Sequence, residues 1–150
     1  MATEATYVDV IEQLERDQVR YVIVGGVAVV LRGHVRPIAD LDLVIDPDPV
    51  EADRAVRALT AVGFVPTIPL PITMLTVLRM LDQNHRELDI FIRYHIPFDE
   101  LWRDSVRLPF GGSVANVASF DHVLREKRYN GRPDDLRDME ALLALKNQAT

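Results

Sequence analysis

Residues 40–45 read Asp-Leu-Asp-Leu-Val-Ile, acid alternating with aliphatic before Asp46-Pro47 ends the run. An extended strand sorts such a segment cleanly, because successive side chains leave a strand on opposite faces. Leu41 and Leu43 then enter a core, while Asp40 and Asp42 aim at one common point. The fold must therefore supply a strand with one apolar face and a pair of convergent carboxylates on the other. Such carboxylates repel unless a cation lies between them. A hard divalent ion such as Mg²⁺ (or Mn²⁺) prefers oxygen ligands and keeps positions open for substrate phosphates. The alternative is the solvated face of an edge strand.

The flanking segments place this strand in a mixed α and β chain. Tyr7, Val10, Ile11 and Leu14 recur at helical spacing, which predicts an amphipathic helix over 6–17. A β-branched strand over 20–24 stops at Gly25-Gly26, and a short helix follows over 27–31. Val50, Ala55, Val56, Leu59 and Val62 give an apolar face to a helix over 49–62 that Gly63 ends. Pro66, Pro69 and Pro71 predict an extended surface connection. Two apolar runs over 75–81 and 87–94, separated by the polar tetrapeptide 82–85, predict a hairpin. A short helix over 97–104 and a strand over 114–118 follow, with Phe98, Leu101 and Trp102 as core anchors. Ser119 caps a helix to about residue 129, and Pro133 opens a closing helix to about residue 146. The expected class is α+β: a mixed sheet with flanking helices and a C-terminal helical pair, in one domain over 1–150.

The glycine pair changes the weight of the acidic strand. Gly25-Gly26 directly follows a hydrophobic strand, where a chain without Cβ atoms lets backbone approach a phosphate closely and the next helix offers N–H groups. A structural turn is the competing reading. A third acid, Asp89, lies on a later strand opposite in face to Leu88 and Ile90. Two acids on one strand and one on a neighbour match a two-metal site for phosphoryl chemistry. Glu87, two residues before Asp89, shares its face and is an alternative third carboxylate.

With Gly25-Gly26, Arg36, Asp40-Leu41-Asp42 and Asp89 in place, the sequence resembles the nucleotidyltransferase superfamily, whose fold is shared with the polymerase beta palm. The resemblance extends into Arg125-Glu126-Lys127 and the run from Gly131 to Asp138, and is nearest to small bacterial toxin nucleotidyltransferases of the AbiE type. It implies that Gly25, Gly26, Arg36 and Lys127 meet the nucleotide, and that Asp40, Asp42 and Asp89 form the catalytic and metal-binding triad. Two departures stand out: Ile38 occupies a position that often carries Ser or Thr, and Gly26 stands where Ser is common.

The implied activity is transfer of a nucleoside monophosphate from a triphosphate, ATP included, to a hydroxyl on RNA, protein or a small molecule. In the toxin version an antitoxin is the expected partner. The competing reading is a non-catalytic module on the same fold that binds a nucleotide or a partner chain. A purely structural domain is a third, and it requires the three acids to lie apart. Lys127 continues the inward stripe of Phe120, Val123 and Leu124, so its ammonium either faces a cleft or snorkels at the core edge. Asp135 and Asp138 share a face near a helix start, where the macrodipole alone favours acids.

Charge narrows the partners. Lys+Arg 17 against Asp+Glu 23 gives a net −6, so RNA would have to meet a local patch, for which Arg125, Lys127, Arg128 and Arg132 are the obvious cluster. With Cys 0, thiolate chemistry and cysteine-held metals are excluded. The four histidines lack metal-ligand spacing. Hydrophobic residues at 48% of 150 are enough for a full core, and no run approaches a membrane span. Met1-Ala2-Thr3-Glu4 shows neither basic nor apolar leader character, and a cytoplasmic location is expected.

Overall fold

The computed structural model describes residues 4–148; Met1–Thr3, read above for leader character, lie outside them. A short 3₁₀ turn leads into α1 (Val8–Arg16), which buries Val10, Ile11 and Leu14 as the helical spacing requires. There follow β1 (Tyr21–Val24), α2 (Gly25–Leu31), β2 (Leu41–Ile45), α3 (Pro49–Ala61), β3 (Val65–Pro66), β4 (Val77–Leu81) and β5 (Glu87–Phe91). The chain ends in α4 (Phe98–Asp104), β6 (Val106–Phe110), β7 (Ser113–Val117), α5 (Phe120–Asn130) and α6 (Pro133–Gln148). This is the expected α+β arrangement with a closing helical pair.

One seven-stranded sheet runs in the order β3-β4-β5-β2-β1-β7-β6. It is mixed: β2 is antiparallel to β1 and parallel to β5, β1 is parallel to β7, and β4 is antiparallel to β5. Central β1 is buried along its whole length, and β2 everywhere except Asp42. On β4 and β5 alternate residues are buried, so the outer sheet keeps one open face. Helices α1 and α3 pack on each other, α2 packs on β1, β2 and α5, and α5 packs on α6.

Four details differ from the sequence reading. The glycine pair is the first turn of α2 rather than a turn ahead of it. Helix α3 is capped by Asp48 and opened by Pro49, yet it buries Ala52, Ala55, Ala58 and Leu59 while Val50 is exposed. Small residues let that helix sit close to the sheet, which the larger side chains had obscured. The proline-rich stretch contains the two-residue edge strand β3 and a 3₁₀ turn over Ile72–Met74. The sequence reading assigns nothing to β6, which carries Pro109; at the edge of the sheet, a missing N–H is tolerated.

Candidate active site

Strand register assembles the site. Val24 stands opposite Asp42, Asp42 opposite Asp89, and Asp89 opposite Arg79, so one row crosses β1, β2, β5 and β4. Gly25 follows Val24 and therefore lies beside Asp42. Asp40 precedes β2 and, at period two, points with Asp42. One oxygen from each of Asp40, Asp42 and Asp89 lies within 4.8 Å of the others. The three acids are thus neighbours in space, and the structural-domain reading that needed them apart falls.

Burial and mutual repulsion set their electrostatics. The Asp42 carboxyl is pushed up to about 8, first by desolvation and then by Asp40, Asp89 and Glu126. Asp40 is likewise raised, by burial and by Asp89. A hard divalent cation is the natural relief for such a set, and three convergent carboxylates fit its oxygen preference. Arg79 supplies part of the missing charge. Its Nε and Nη2 donate to the two oxygens of Asp89 at 2.9 and 3.0 Å, and Nη2 reaches Asp40 Oδ2 at 3.4 Å.

The glycine pair is shaped by this row. Gly25 has φ +68, and a Cβ there would stand 2.1 Å from Asp42 Oδ2, so only glycine passes. Its N–H donates to Glu126 Oε2 at 3.2 Å, which commits that group within the protein. Glu126 is buried on α5, held above the ordinary carboxylate range by desolvation, and also bonds the Tyr94 hydroxyl. Gly26 faces the Arg36 guanidinium, whose nearest nitrogen is 3.2 Å from where a Cβ on Gly26 would lie.

A cleft of about 1280 Å³ brings together Gly25, Gly26, Arg36, Asp40, Asp42 and Lys127. All the nucleotide-site candidates thus line one cleft with Asp40 and Asp42 of the metal candidates. Their charges are already met: Arg36 makes a bidentate pair with Asp138 at 2.9 and 2.8 Å, and buried Lys127 Nζ lies 3.3 Å from Asp135 and 3.2 Å from Asp138. Asp135 and Asp138 are consequently more than dipole-favoured surface acids. They are buried and form an inward stripe with Leu142. Burial alone would raise both; hydrogen bonds from Arg132 and Lys127 to Asp135, and from Arg36 and Lys127 to Asp138, hold them below the usual range.

Of the basic cluster considered for RNA, Arg125, Arg128 and Arg132 are exposed and Lys127 is not. Lys127 is buried, Arg125 pairs with Glu100 at 2.7 Å, and Arg132 pairs with Asp135 at 2.9 Å. A second cavity, of about 610 Å³, meets the first at Asp40 and Asp42 and is walled by Asp89, Phe91, Tyr94 and Tyr129. Along it the rings of His95 and Tyr129 stack at 4.0 Å. Glu87 reaches Arg79 Nη1 at 3.4 Å but stands outside the carboxylate group.

Trp102 is half-buried, stacked on Phe98 and covered by Arg20. Sequence reasoning missed Arg79, Glu126 and Tyr94 as members of the site. Only the observed hairpin register, with Leu81 opposite Glu87, sets Arg79 beside Asp89, whereas Glu126 and Tyr94 meet the site only through tertiary packing. No helix among the described residues is long and apolar enough to cross a membrane.

No protein-family model and no curated protein matches the chain. Solved structures do match in fold. A lincomycin-bound lincosamide antibiotic adenylyltransferase, LnuA, is 18% identical over 93% of this chain and 94% of its own, with a TM-score of 0.66. A putative nucleotidyltransferase from Thermotoga maritima is 15% identical over 95% and 91%, at 0.64. ANT(2″)-Ia in complex with adenylyl-2″-tobramycin is 13% identical over 95% and 89%, at 0.68. The chain has the nucleotidyltransferase fold across nearly its whole length.

Proposed function

We propose that this protein is a nucleotidyltransferase that moves a nucleoside monophosphate from a triphosphate to a hydroxyl acceptor. The observation that carries the reading is the row Val24–Asp42–Asp89 with Asp40 beside it, which brings three carboxylates to one point where two cavities meet. Asp40, Asp42 and Asp89 would hold Mg²⁺ or Mn²⁺, which supplies charge neutralisation at the phosphates and a more acidic acceptor hydroxyl. The cleft beside Gly26 and Arg36 receives the triphosphate. Lys127, shared by two acids, keeps α6 as the wall of that cleft.

The acceptor enters from the cavity walled by Phe91, Tyr94 and Tyr129. Its oxygen forms a bond to the α-phosphorus, the bond to the bridging oxygen breaks, and pyrophosphate leaves with that electron pair. Asp89, on the acceptor side, orients the hydroxyl and takes its proton. The likeness to enzymes whose names specify adenylyl transfer to antibiotics supports a small-molecule hydroxyl as the first acceptor class to try. The burial of Lys127 and the ion pairs of Arg125 and Arg132 weigh against RNA, and no antitoxin partner is needed for the chemistry.

The test is labelling. Purified protein is incubated with each α-labelled nucleoside triphosphate, Mg²⁺ or Mn²⁺, and small-molecule, RNA or protein acceptors. One acceptor should take up label with release of pyrophosphate, and Asp42→Asn, nearly isosteric but uncharged, should abolish uptake while circular dichroism is unchanged. Nucleotide binding without transfer to any acceptor would instead support the non-catalytic module.

A further inference from the structure

We infer that Arg79 is the resident countercharge of the carboxylate triad, the group that a divalent cation must displace, so that loading the site exchanges one cation for another. The inference rests on the reading of Asp40, Asp42 and Asp89 as a metal site. Its own ground is geometry. Arg79 lies directly opposite Asp89 across the β4–β5 hairpin, and its fork takes both Asp89 oxygens at 2.9 and 3.0 Å. The same guanidinium reaches Asp40 at 3.4 Å and Glu87 at 3.4 Å, so it bridges two of the three triad members.

A carboxylate whose lone pairs are occupied by a bidentate arginine cannot offer them undiminished to a metal. The partners differ in their freedom to leave. The Asp89 side chain is 13% exposed and fixed on a central strand, whereas that of Arg79 is 47% exposed on β4. A half-exposed guanidinium can swing into water at little desolvation cost; the carboxylates stay in place. Asp42, which Arg79 does not bridge, is the ligand left for the entering ion. Arg79 would thus offset the repulsion among the acids before an ion enters and keep the metal affinity below that of three free carboxylates.

A simpler role would be a cross-strand pair that only fastens the hairpin. The two differ in sign at the metal. Mn²⁺ is titrated into chelator-treated wild type, Arg79→Gln and Arg79→Lys, with free Mn²⁺ read by electron paramagnetic resonance and melting followed with and without the ion. Arg79→Gln should bind Mn²⁺ about tenfold more tightly, because one opposing charge is gone. It should also melt below wild type in chelator and gain more than wild type on adding Mn²⁺. Arg79→Lys, which keeps the charge but loses the fork, should fall between them and decides the matter should the glutamine variant not fold. Unchanged or weaker Mn²⁺ binding in the folded variants, with wild type binding the ion, overturns the inference alone. If neither wild type nor the variants take up Mn²⁺, the inference and the metal reading fall together.

Discussion

At Gly25 and Gly26 one absent Cβ serves two different ends. Gly25 sits in the left-handed region, and a methyl there would overlap Asp42 Oδ2. Gly25→Ala should therefore cost at least about 1–2 kcal/mol in denaturant unfolding and weaken Mn²⁺ binding by displacing Asp42. Gly26 carries no such backbone demand, and its Cβ would meet only the end of Arg36. Gly26→Ala should keep stability within about 1 kcal/mol yet lower nucleotide affinity by calorimetry, if the cleft reading holds. Equal nucleotide affinity in wild type and Gly26→Ala would return that residue to a structural role. Asp42 makes the second residue-scale prediction. Its folded pKa of about 8 lies above the ordinary 3.8, so between those values the folded chain keeps a proton that the unfolded chain has released. Stability of the metal-free protein must then fall as pH rises through that window, by up to about 1.4 kcal/mol per pH unit from this group. Urea midpoints in chelator should show the decline in wild type and lose most of it in Asp42→Asn. A flat wild-type profile would mean that the carboxylate ionises without cost.

Among elements, α5 and α6 join the carboxylate row to the rest of the cleft. Glu126 on α5 accepts the Gly25 N–H, and Lys127, the next residue, is held by Asp135 and Asp138 of α6. Asp138 also takes the Arg36 fork, so its loss leaves a buried lysine and an arginine short of a partner. Asp138→Ala should cost about 3–5 kcal/mol, more than a surface acid could, and hydrogen exchange should quicken first along α6. A loss below about 1 kcal/mol would show that the network is solvated in solution. The helices themselves were legible because caps and periodicity are local: Ser119 accepts the His122 N–H, and Pro133 opens α6 as its fixed φ favours. The hairpin was legible in outline but not in register. A four-residue turn over 82–85 would pair residue 81 with residue 86, whereas Leu81 pairs with Glu87 and the bend takes His85 at φ 64. One residue of slip moves every side chain to the other face. Read with the shorter register, Arg79 would have faced away from Asp89, which is why the acids were visible in the sequence and their counterion was not.

For the whole molecule, the sheet order places β1, β2 and β5 together near its centre, and the site is the open face where the helical cover of β1 and β2 gives way toward β4. Local alternation disclosed Asp40, Asp42 and Asp89 and their faces, and helical spacing put Lys127 on the inward stripe; its partners did not show, because Asp135 and Asp138 read as dipole-favoured acids until tertiary packing is known. That network bears on whether the chain behaves as one unit. Arg32 of the segment after α2 donates twice to the Ala118 carbonyl at 3.2 and 3.0 Å, Gly25 bonds Glu126, and Arg36 bonds Asp138. Each tie links the first third of the chain to the last. A C-terminal pair so anchored cannot unfold without stripping partners from buried charges, so the proposed single domain over residues 1–150 should lose α5, α6 and the sheet in one step. Trp102, the one tryptophan, reports the α4 corner, where it stacks on Phe98 beneath Arg20. Far-ultraviolet circular dichroism reports the helices, to which α6 contributes 16 residues. In urea the fluorescence and dichroism midpoints should coincide, and Asp138→Ala should shift both together. A dichroism change that precedes the fluorescence change would instead mark α5 and α6 as a separately melting unit, and the cleft they wall as a junction between two parts rather than a cavity within one.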